Sequence, residues 1–413
     1  MSDNTAKKIE QVPESYSPKL KPTILQMAST VAYASDTIAD PFAGGEPPRT
    51  SNRILNYRRI QNWENYFLCS AICSVGKAVG AETEIAIEID TSHYADFHFY
   101  SAFTGDMFTY LYSQKKGNPD GLQCDSGVTN YFFVPQVVKR AYAAFGYDCV
   151  YLSTAQIKKD FRTAMNAIKA SVDKGIPVLA WGMGNVTSHD GSRYGMMPEG
   201  SLIGGYDEGD VLYVNLYPGA ERFPEGYVDE YGYSAITNGL DTTKGIFFVG
   251  ESIPKTDKRQ VYQNAIDSIP AFLTLLPAEN ESGAYVFGKT AFETWADTLE
   301  TDIYFEGKTD DELNGICWNL HCAPYCCVCT SSADKFFAHA VEEYPDLTMA
   351  AKLLPLYQKM VAYKDNIWAL HGDFFPPMEK FRTHEFRAQI AAVLRKMGGV
   401  CDEILSAFEE GAK

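Results

Sequence analysis

The spacing of apolar residues changes along this chain, and the order of those changes constrains the fold more than any other sequence feature. Between residues 60 and 172, apolar side chains recur mainly three or four positions apart, which predicts helices. From residue 176 to 250 they form short runs separated by Gly, Asp and Pro, which is typical of strands. Helical spacing returns from Lys289. Helices followed by a run of strands predict an α+β fold rather than alternating β–α–β units.

The individual elements follow from the same patterns. Helices are predicted over 60–80, 132–145 and 157–172, and Gly80 is expected to end the first of them as a C-cap. Thr309 and Glu312 form a capping-box pattern at the start of a later helix. Apolar residues at helical spacing over 386–408 predict a long final helix. The predicted strands lie at 149–152, 176–181, 201–204, 211–214 and 245–250.

These patterns divide the chain into four parts. Residues 1–50 are polar and rich in Pro and Gly, and they predict an extended arm. Residues 51–250 are expected to form the α+β domain, and 251–288 a connector with one helix. Residues 289–413 predict an all-helical domain.

Charge and hydropathy exclude several classes of function. The net charge of −17 disfavours nucleic acids and anionic membrane surfaces as partners, because both need clustered Lys and Arg. No apolar run approaches the roughly 18 residues needed to span a bilayer. The first 14 residues lack the apolar core of a secretory signal, so the ten cysteines are expected to stay reduced in the cytoplasm.

Motifs for common cofactors are missing from the sequence. It contains no Walker A loop, no dinucleotide-binding glycine fingerprint after a strand and no Gly-x-Ser-x-Gly elbow, so no cofactor is expected. One segment, residues 317–329, invites a metal hypothesis. Zinc sites usually offer two well-separated ligand pairs, whereas these residues crowd one helix junction, and thiols packed between helices are the favoured interpretation. The residues concerned are Cys317, His321, Cys322, Cys326, Cys327 and Cys329.

A second group of residues suggests thiol chemistry. Cys69 and Cys73 lie on the first predicted helix, and more than a hundred residues later comes a predicted strand pair that contains Gly205-Tyr206-Asp207 and ends at Asn215. This order resembles papain-like bacterial modules, namely the double-glycine leader peptidases and the N-terminal domain of the butirosin-biosynthesis acyltransferase. Segments 103–108 and 245–250 and the helical C-terminal part resemble uncharacterised clostridial-type members of that superfamily.

The resemblance implies a papain-like module with a catalytic Cys on a buried helix. It implies that Cys69 is the nucleophile and that Asn215 orients the base. The expected activity is acyl transfer, or hydrolysis of an amide or thioester, on a small-molecule or peptide ligand.

Two departures keep a second interpretation open. Counting back from Gly-Tyr-Asp puts Glu199 where these families have His, and a carboxylate beside a thiolate raises the pKa of both groups. Counting back from Gly80 puts Phe67 at the nucleophile position, with Cys69 two residues later. His189 is an alternative base. The chain is therefore either a thiol enzyme or an inactive binding module that keeps the cleft without the Cys–His pair.

We predict that the cysteine-rich segment 317–329 binds no metal, because its spacing offers no second ligand pair. Elemental analysis of the purified protein should find zinc and iron far below one atom per chain. A near-stoichiometric content of either metal, lost when Cys326 and Cys327 are changed to Ser, would contradict this prediction.

Overall fold

The computed structural model divides into two compact units. Among the residues described, one unit contains 38–80 and 135–258, here called the sheet unit, and the other contains 101–126 and 259–411, here called the helical unit. The predicted α+β class is confirmed, since helices and antiparallel sheets both occur and the C-terminal region is helical. The structure describes residues 38–55, 67–80, 101–102, 105–116, 122–126, 135–181, 186–187, 193–194, 201–215, 229, 231–237, 239–279, 283–321, 333–372 and 376–411.

The strands and helices of these residues are as follows. The strands are β1 (Asn52–Arg53), β2 (Tyr110–Lys115), β3 (Leu122–Ser126), β4 (Tyr147–Ser153), β5 (Val178–Trp181), β6 (Val186–Thr187), β7 (Arg193–Tyr194), β8 (Ser201–Asp207), β9 (Val211–Asn215), β10 (Tyr233–Ile236), β11 (Gly245–Ser252), β12 (Ala278–Glu279) and β13 (Gly283–Phe287). The α-helices are α1 (Phe67–Ala78), α2 (Pro135–Phe145), α3 (Thr154–Lys159), α4 (Phe161–Asp173), α5 (Gly239–Thr242), α6 (Lys258–Leu273), α7 (Gly288–Glu300), α8 (Asp310–His321), α9 (Ala333–Glu343), α10 (Thr348–His371), α11 (Met378–Phe381) and α12 (His384–Gly411).

The sheet unit is built on an antiparallel sheet with the strand order β10-β9-β8-β5-β11-β4. β9 pairs along one edge of β8, and β5 pairs along the other edge at residues 201–203. β1 pairs with β8 at Gly205 and Tyr206, so it lies end to end with β5 on that second edge. The segment predicted as an extended arm therefore leads directly into a strand of the sheet.

The predicted helix over 157–172 is interrupted near its start. α3 ends and α4 begins at Asp160, whose side chain accepts the backbone N–H of Thr163 at 3.1 Å. Ser153 and Gln156 form a capping box at the start of α3. A second N-cap inside an apolar stripe is a local hydrogen-bonding feature, and apolar spacing alone does not reveal it.

The helical unit also contains a sheet, with the order β12-β13-β2-β3. β2 pairs with β3 on one side and with β13 on the other, so Leu111 lies opposite Phe287. The predicted domains 51–250 and 289–413 therefore differ from the compact units. Residues 101–126 belong with the C-terminal helices, and the predicted connector supplies α6, β12 and β13.

Several helices of this unit pack against α12. α7 and α10 both contact it, and a Cβ added at Gly398 would lie 3.5 Å from the Cγ atom of Lys289, so α7 and α12 are in van der Waals contact there. The predicted capping box is confirmed, because Glu312 accepts the N–H of Thr309 at 2.8 Å and its own N–H reaches the Thr309 hydroxyl at 3.3 Å. Within the described residues, no helix is long and apolar enough to cross a membrane.

A buried arginine joins α12 to the end of α7. The Arg387 side chain is 0% exposed, lies over the ring of Phe305 at 4.2 Å and forms an ion pair with Asp302. It donates to the carbonyl of Leu299 at 2.9 Å and to those of Phe381 and Arg382 at 3.0 and 2.6 Å. A buried guanidinium is tolerated because nearly all of its donors find acceptors.

We predict that Arg387→Met destabilises the helical unit by about 3 kcal/mol, because it leaves several carbonyls without their donor. The matched control is Arg395→Met on the same helix. The Arg395 side chain is 40% exposed and binds Asp297 and Glu300 at the surface, so its loss should cost about 0–1 kcal/mol. Chemical denaturation followed by circular dichroism measures both, and equal losses would contradict the prediction.

Candidate functional site

The helix that carries Cys69 packs on the centre of the sheet. Leu68, Ile72 and Val75 are fully buried on one side of α1, and the helix contacts β5, β8 and α2. It ends as predicted, with Gly80 at a φ of 68° donating its N–H to the Lys77 carbonyl at 3.1 Å. Within the described residues α1 begins at Phe67, so Cys69 lies in its first turn.

The two faces of the sheet bury different helices. Val178, Ile203 and Val214 belong to one core cluster with apolar residues of α4. The buried residues of α1 lie outside that cluster, although α1 contacts the same strands, so α1 covers the opposite face. Side chains alternate along a strand, so Leu179 and Leu202, which are paired across β5 and β8 and fully buried, point to the α1 face.

Asn215 lies on the α1 face. Its direct partners in the sheet are Leu202 on β8 and Tyr233 on β10, and directly opposed residues point to the same side. The Asn215 side chain is buried, with 6% of the residue exposed. Pairing geometry thus puts a buried carboxamide on the face of the sheet that packs against the helix of Cys69.

The two glycines of β8 allow side chains to approach the strand on this face. A Cβ at Gly204 would lie 2.5 Å from the Tyr233 hydroxyl oxygen, and one at Gly205 would lie 2.6 Å from the Arg53 Cγ atom. Real Cβ atoms do not come so close to other heavy atoms. The hydroxyl of Tyr233 donates to the Ile54 carbonyl at 2.8 Å, so this close approach also holds the residue after β1 against the sheet.

The Gly-Tyr-Asp sequence that carries the family resemblance has a structural explanation in this fold. Tyr206 points to the other face, where its hydroxyl donates to Asp173 on α4 at 2.8 Å. Asp207 accepts the hydroxyl of Tyr213 at 3.0 Å. Burial and this hydrogen bond raise the pKa of Tyr213 above its ordinary value, so the phenol stays protonated and donates.

Arg53 lies over the ring of Tyr213 on the same face. The guanidinium carbon is 3.9 Å from the ring centroid, and its Nη1 atom lies 2.5 Å from an oxygen of Asp229. Neither Arg53 nor Asp229 is predicted from the sequence to be a site residue. The turn-forming types at residues 229–232, including Asp229 and Gly232, were a local signal for the turn, whereas nothing in the sequence indicated that Arg53 would reach it.

The structure describes some of the predicted site residues fully and others only in part. The backbone of Cys69 and the whole of Asn215 are described: Cys69 lies on the helix that covers one face of the sheet, and Asn215 lies on that face. Glu199 and His189 lie outside the described residues, as do the side chains of Phe67 and Cys69. Cys73, one turn further along α1, is buried with 3% exposed.

The cysteine-rich segment is described only at its start. Cys317 is fully buried in α8, and residues 322–332 lie outside the described residues. Within the part of the chain that the structure does describe, no group of three or more His, Cys, Asp or Glu side chains could hold a metal ion.

Comparison with known proteins gives no match to any protein-family model and none to any curated protein. The resemblance to papain-like modules accordingly stays a hypothesis. It is based on the residue order and on the elements that carry those residues.

We predict that Gly204→Ala destabilises the sheet unit by about 1–3 kcal/mol, because the methyl group would push Tyr233 away from the Ile54 carbonyl. Gly45→Ala is the control, since a Cβ there would meet only the Phe42 carbonyl oxygen at 4.0 Å. Thermal and chemical denaturation of both variants test this. Wild-type stability of Gly204→Ala would show that the close approach is not needed.

Proposed function

We propose that the sheet unit is a papain-like thiol enzyme that transfers an acyl group or hydrolyses an amide or thioester. Cys69 is its nucleophile, and Asn215 orients the base. The substrate is a small molecule or a peptide that carries the acyl group. A reduced thiol fits a cytoplasmic setting, which we propose on the same sequence grounds.

One observation carries this proposal. α1, with Cys69 in its first turn, covers the face of the sheet on which Asn215 is buried. Asn215 pairs with Leu202, and Glu199 precedes Leu202 by three residues in the chain. Cys69 and Asn215 thus belong to elements on one face of the sheet, and Glu199 is close to β8 in the sequence. A nucleophile, its base and the orienting residue have to lie close together.

The proposed reaction has two covalent steps. The Cys69 thiol transfers its proton to the base, and the resulting thiolate attacks the carbonyl carbon of the substrate. A thioester forms as the bond to the leaving amine or thiol breaks. The leaving group takes its proton from the base. Water or a second acceptor then loses a proton to the base and attacks the thioester, which releases the acyl product and the thiolate.

Two residues are candidates for the base. Glu199 occupies the sequence position of the family histidine, and His189 lies ten residues earlier. A neutral imidazole and a thiol exchange a proton readily near neutral pH, whereas a carboxylate beside a thiolate opposes its formation. Backbone N–H groups in the first turn of α1 would stabilise both the thiolate and the oxyanion, because helix N-termini carry positive partial charge.

We predict that Cys69 reacts with iodoacetamide at neutral pH at least about tenfold faster than the other nine cysteines, because an activated thiol has a lowered pKa. Mass spectrometry of timed digests gives the rate at each cysteine. Cys73→Ser should leave the fast reaction intact, whereas Cys69→Ser should abolish it.

Slow labelling spread evenly over the thiols would contradict the enzyme proposal. It would favour the other interpretation, an inactive papain-like module that binds a ligand in the same cleft. Equilibrium dialysis of candidate acyl compounds against wild-type protein and the Asn215→Ala variant would then test for binding without turnover.

A further inference from the structure

We infer that Arg53 and Asp229 are positioning residues that hold the Asn215 carboxamide on the α1 face. The arm that leads into β1 thereby becomes part of the site and contributes more than stability. This inference deepens the proposed function and rests on it for the role of Asn215, although the packing contacts that carry it do not depend on any reaction.

Asp229 organises the turn that leads into β10. One carboxylate oxygen accepts the N–H groups of Tyr231 and Tyr233, each at 2.9 Å. The backbone closes the same turn, with the Asp229 N–H donating to the Tyr233 carbonyl at 2.8 Å and the Gly232 N–H to the Asp229 carbonyl at 3.0 Å. The other carboxylate oxygen receives Arg53 at 2.5 Å. The Asp229 carboxylate thus joins the backbone of this turn to Arg53.

The turn lies directly against Asn215. Gly232 has a φ of 84°, and a Cβ placed on it would be 3.4 Å from the Nδ2 atom of Asn215. Tyr233, the next residue, is the direct β10 partner of Asn215. A shift of the 229–232 turn would therefore move the wall against which the carboxamide packs.

Arg53 connects that turn to the centre of the sheet. Its backbone pairs with Gly205 on β8, and its guanidinium lies over Tyr213, two residues before Asn215 on β9. The guanidinium thus contacts β9 and the turn before β10 at once, with 33% of the side chain exposed. Because partly exposed ion pairs contribute little stability, the loss of this pair should leave the sheet unit folded.

The direct test observes the Asn215 side chain by NMR. In protein labelled with ¹⁵N-asparagine, the peaks lost in Asn215→Ala identify its amide group. We expect Arg53→Met and Asp229→Asn to shift these peaks and to speed exchange of the amide protons with water at least about threefold. Asp229→Asn keeps an oxygen that can accept the turn's N–H groups, so it isolates the loss of charge.

The matched control is Arg162→Met. Arg162 also pairs with an aspartate of the sheet unit, Asp210 at 3.8 Å, but this pair lies before β9 and away from the turn. The Arg162→Met variant should leave the Asn215 peaks unchanged. Arg53→Lys should restore them in part, because a lysine keeps the charge but lacks the planar group that stacks on Tyr213. Unchanged Asn215 peaks in Arg53→Met and Asp229→Asn would overturn the inference.

The Cys69 labelling rate separates this inference from the proposed function. We expect Arg53→Met to slow labelling of Cys69 about threefold in the wild-type background and to have no further effect in Asn215→Ala. Equal slowing in both backgrounds would overturn the positioning role. If Cys69 is not selectively labelled in the wild type, the proposed thiol chemistry fails. The NMR result then decides alone whether Arg53 positions Asn215.

Discussion

The backbone hydrogen bonds of β8 are the constraint on which the sheet unit depends. This strand is paired along both edges, with β9 on one side and with β5 and β1 sharing the other. Its two adjacent glycines let Tyr233 and Arg53 approach the strand from the α1 face. A residue with a side chain at either position would separate these neighbours. The arm, the 229–232 turn and the buried Asn215 all take their positions from this strand.

Much of the secondary structure could be predicted from apolar spacing. The helix ending at Gly80, the strands β4, β5, β8, β9 and β11, the capping box at Thr309 and the final helix all depend on nearby residues, so the local pattern contains the necessary information. The break at Asp160 does not follow from apolar spacing, because the apolar stripe continues across it and only the polar cap marks it. Local patterns identify an element well and identify its partner poorly.

The candidate site shows the same contrast between local patterns, which the sequence contains, and long-range contacts, which it does not reveal. Asn215 could be selected from its place after a predicted strand, but its side of the sheet follows only from its pairing with Leu202 and Tyr233. Arg53 could not be selected, because β1 spans two residues and has no apolar period. Its contacts with Tyr213 and Asp229 join residues more than 150 positions apart in the chain, and no short-range rule describes them.

The pairing of β2 with β13 determines how this protein can be divided. Among the described residues, each compact unit consists of two separate stretches of chain, so no single cut yields either unit intact. A fragment ending near residue 250 would keep β2 and β3 and lose β13, leaving one edge of β2 without its strand. Such open edges readily pair with other chains. Expression of the sheet unit alone therefore requires removal of the intervening stretch 101–134, which belongs to the other unit.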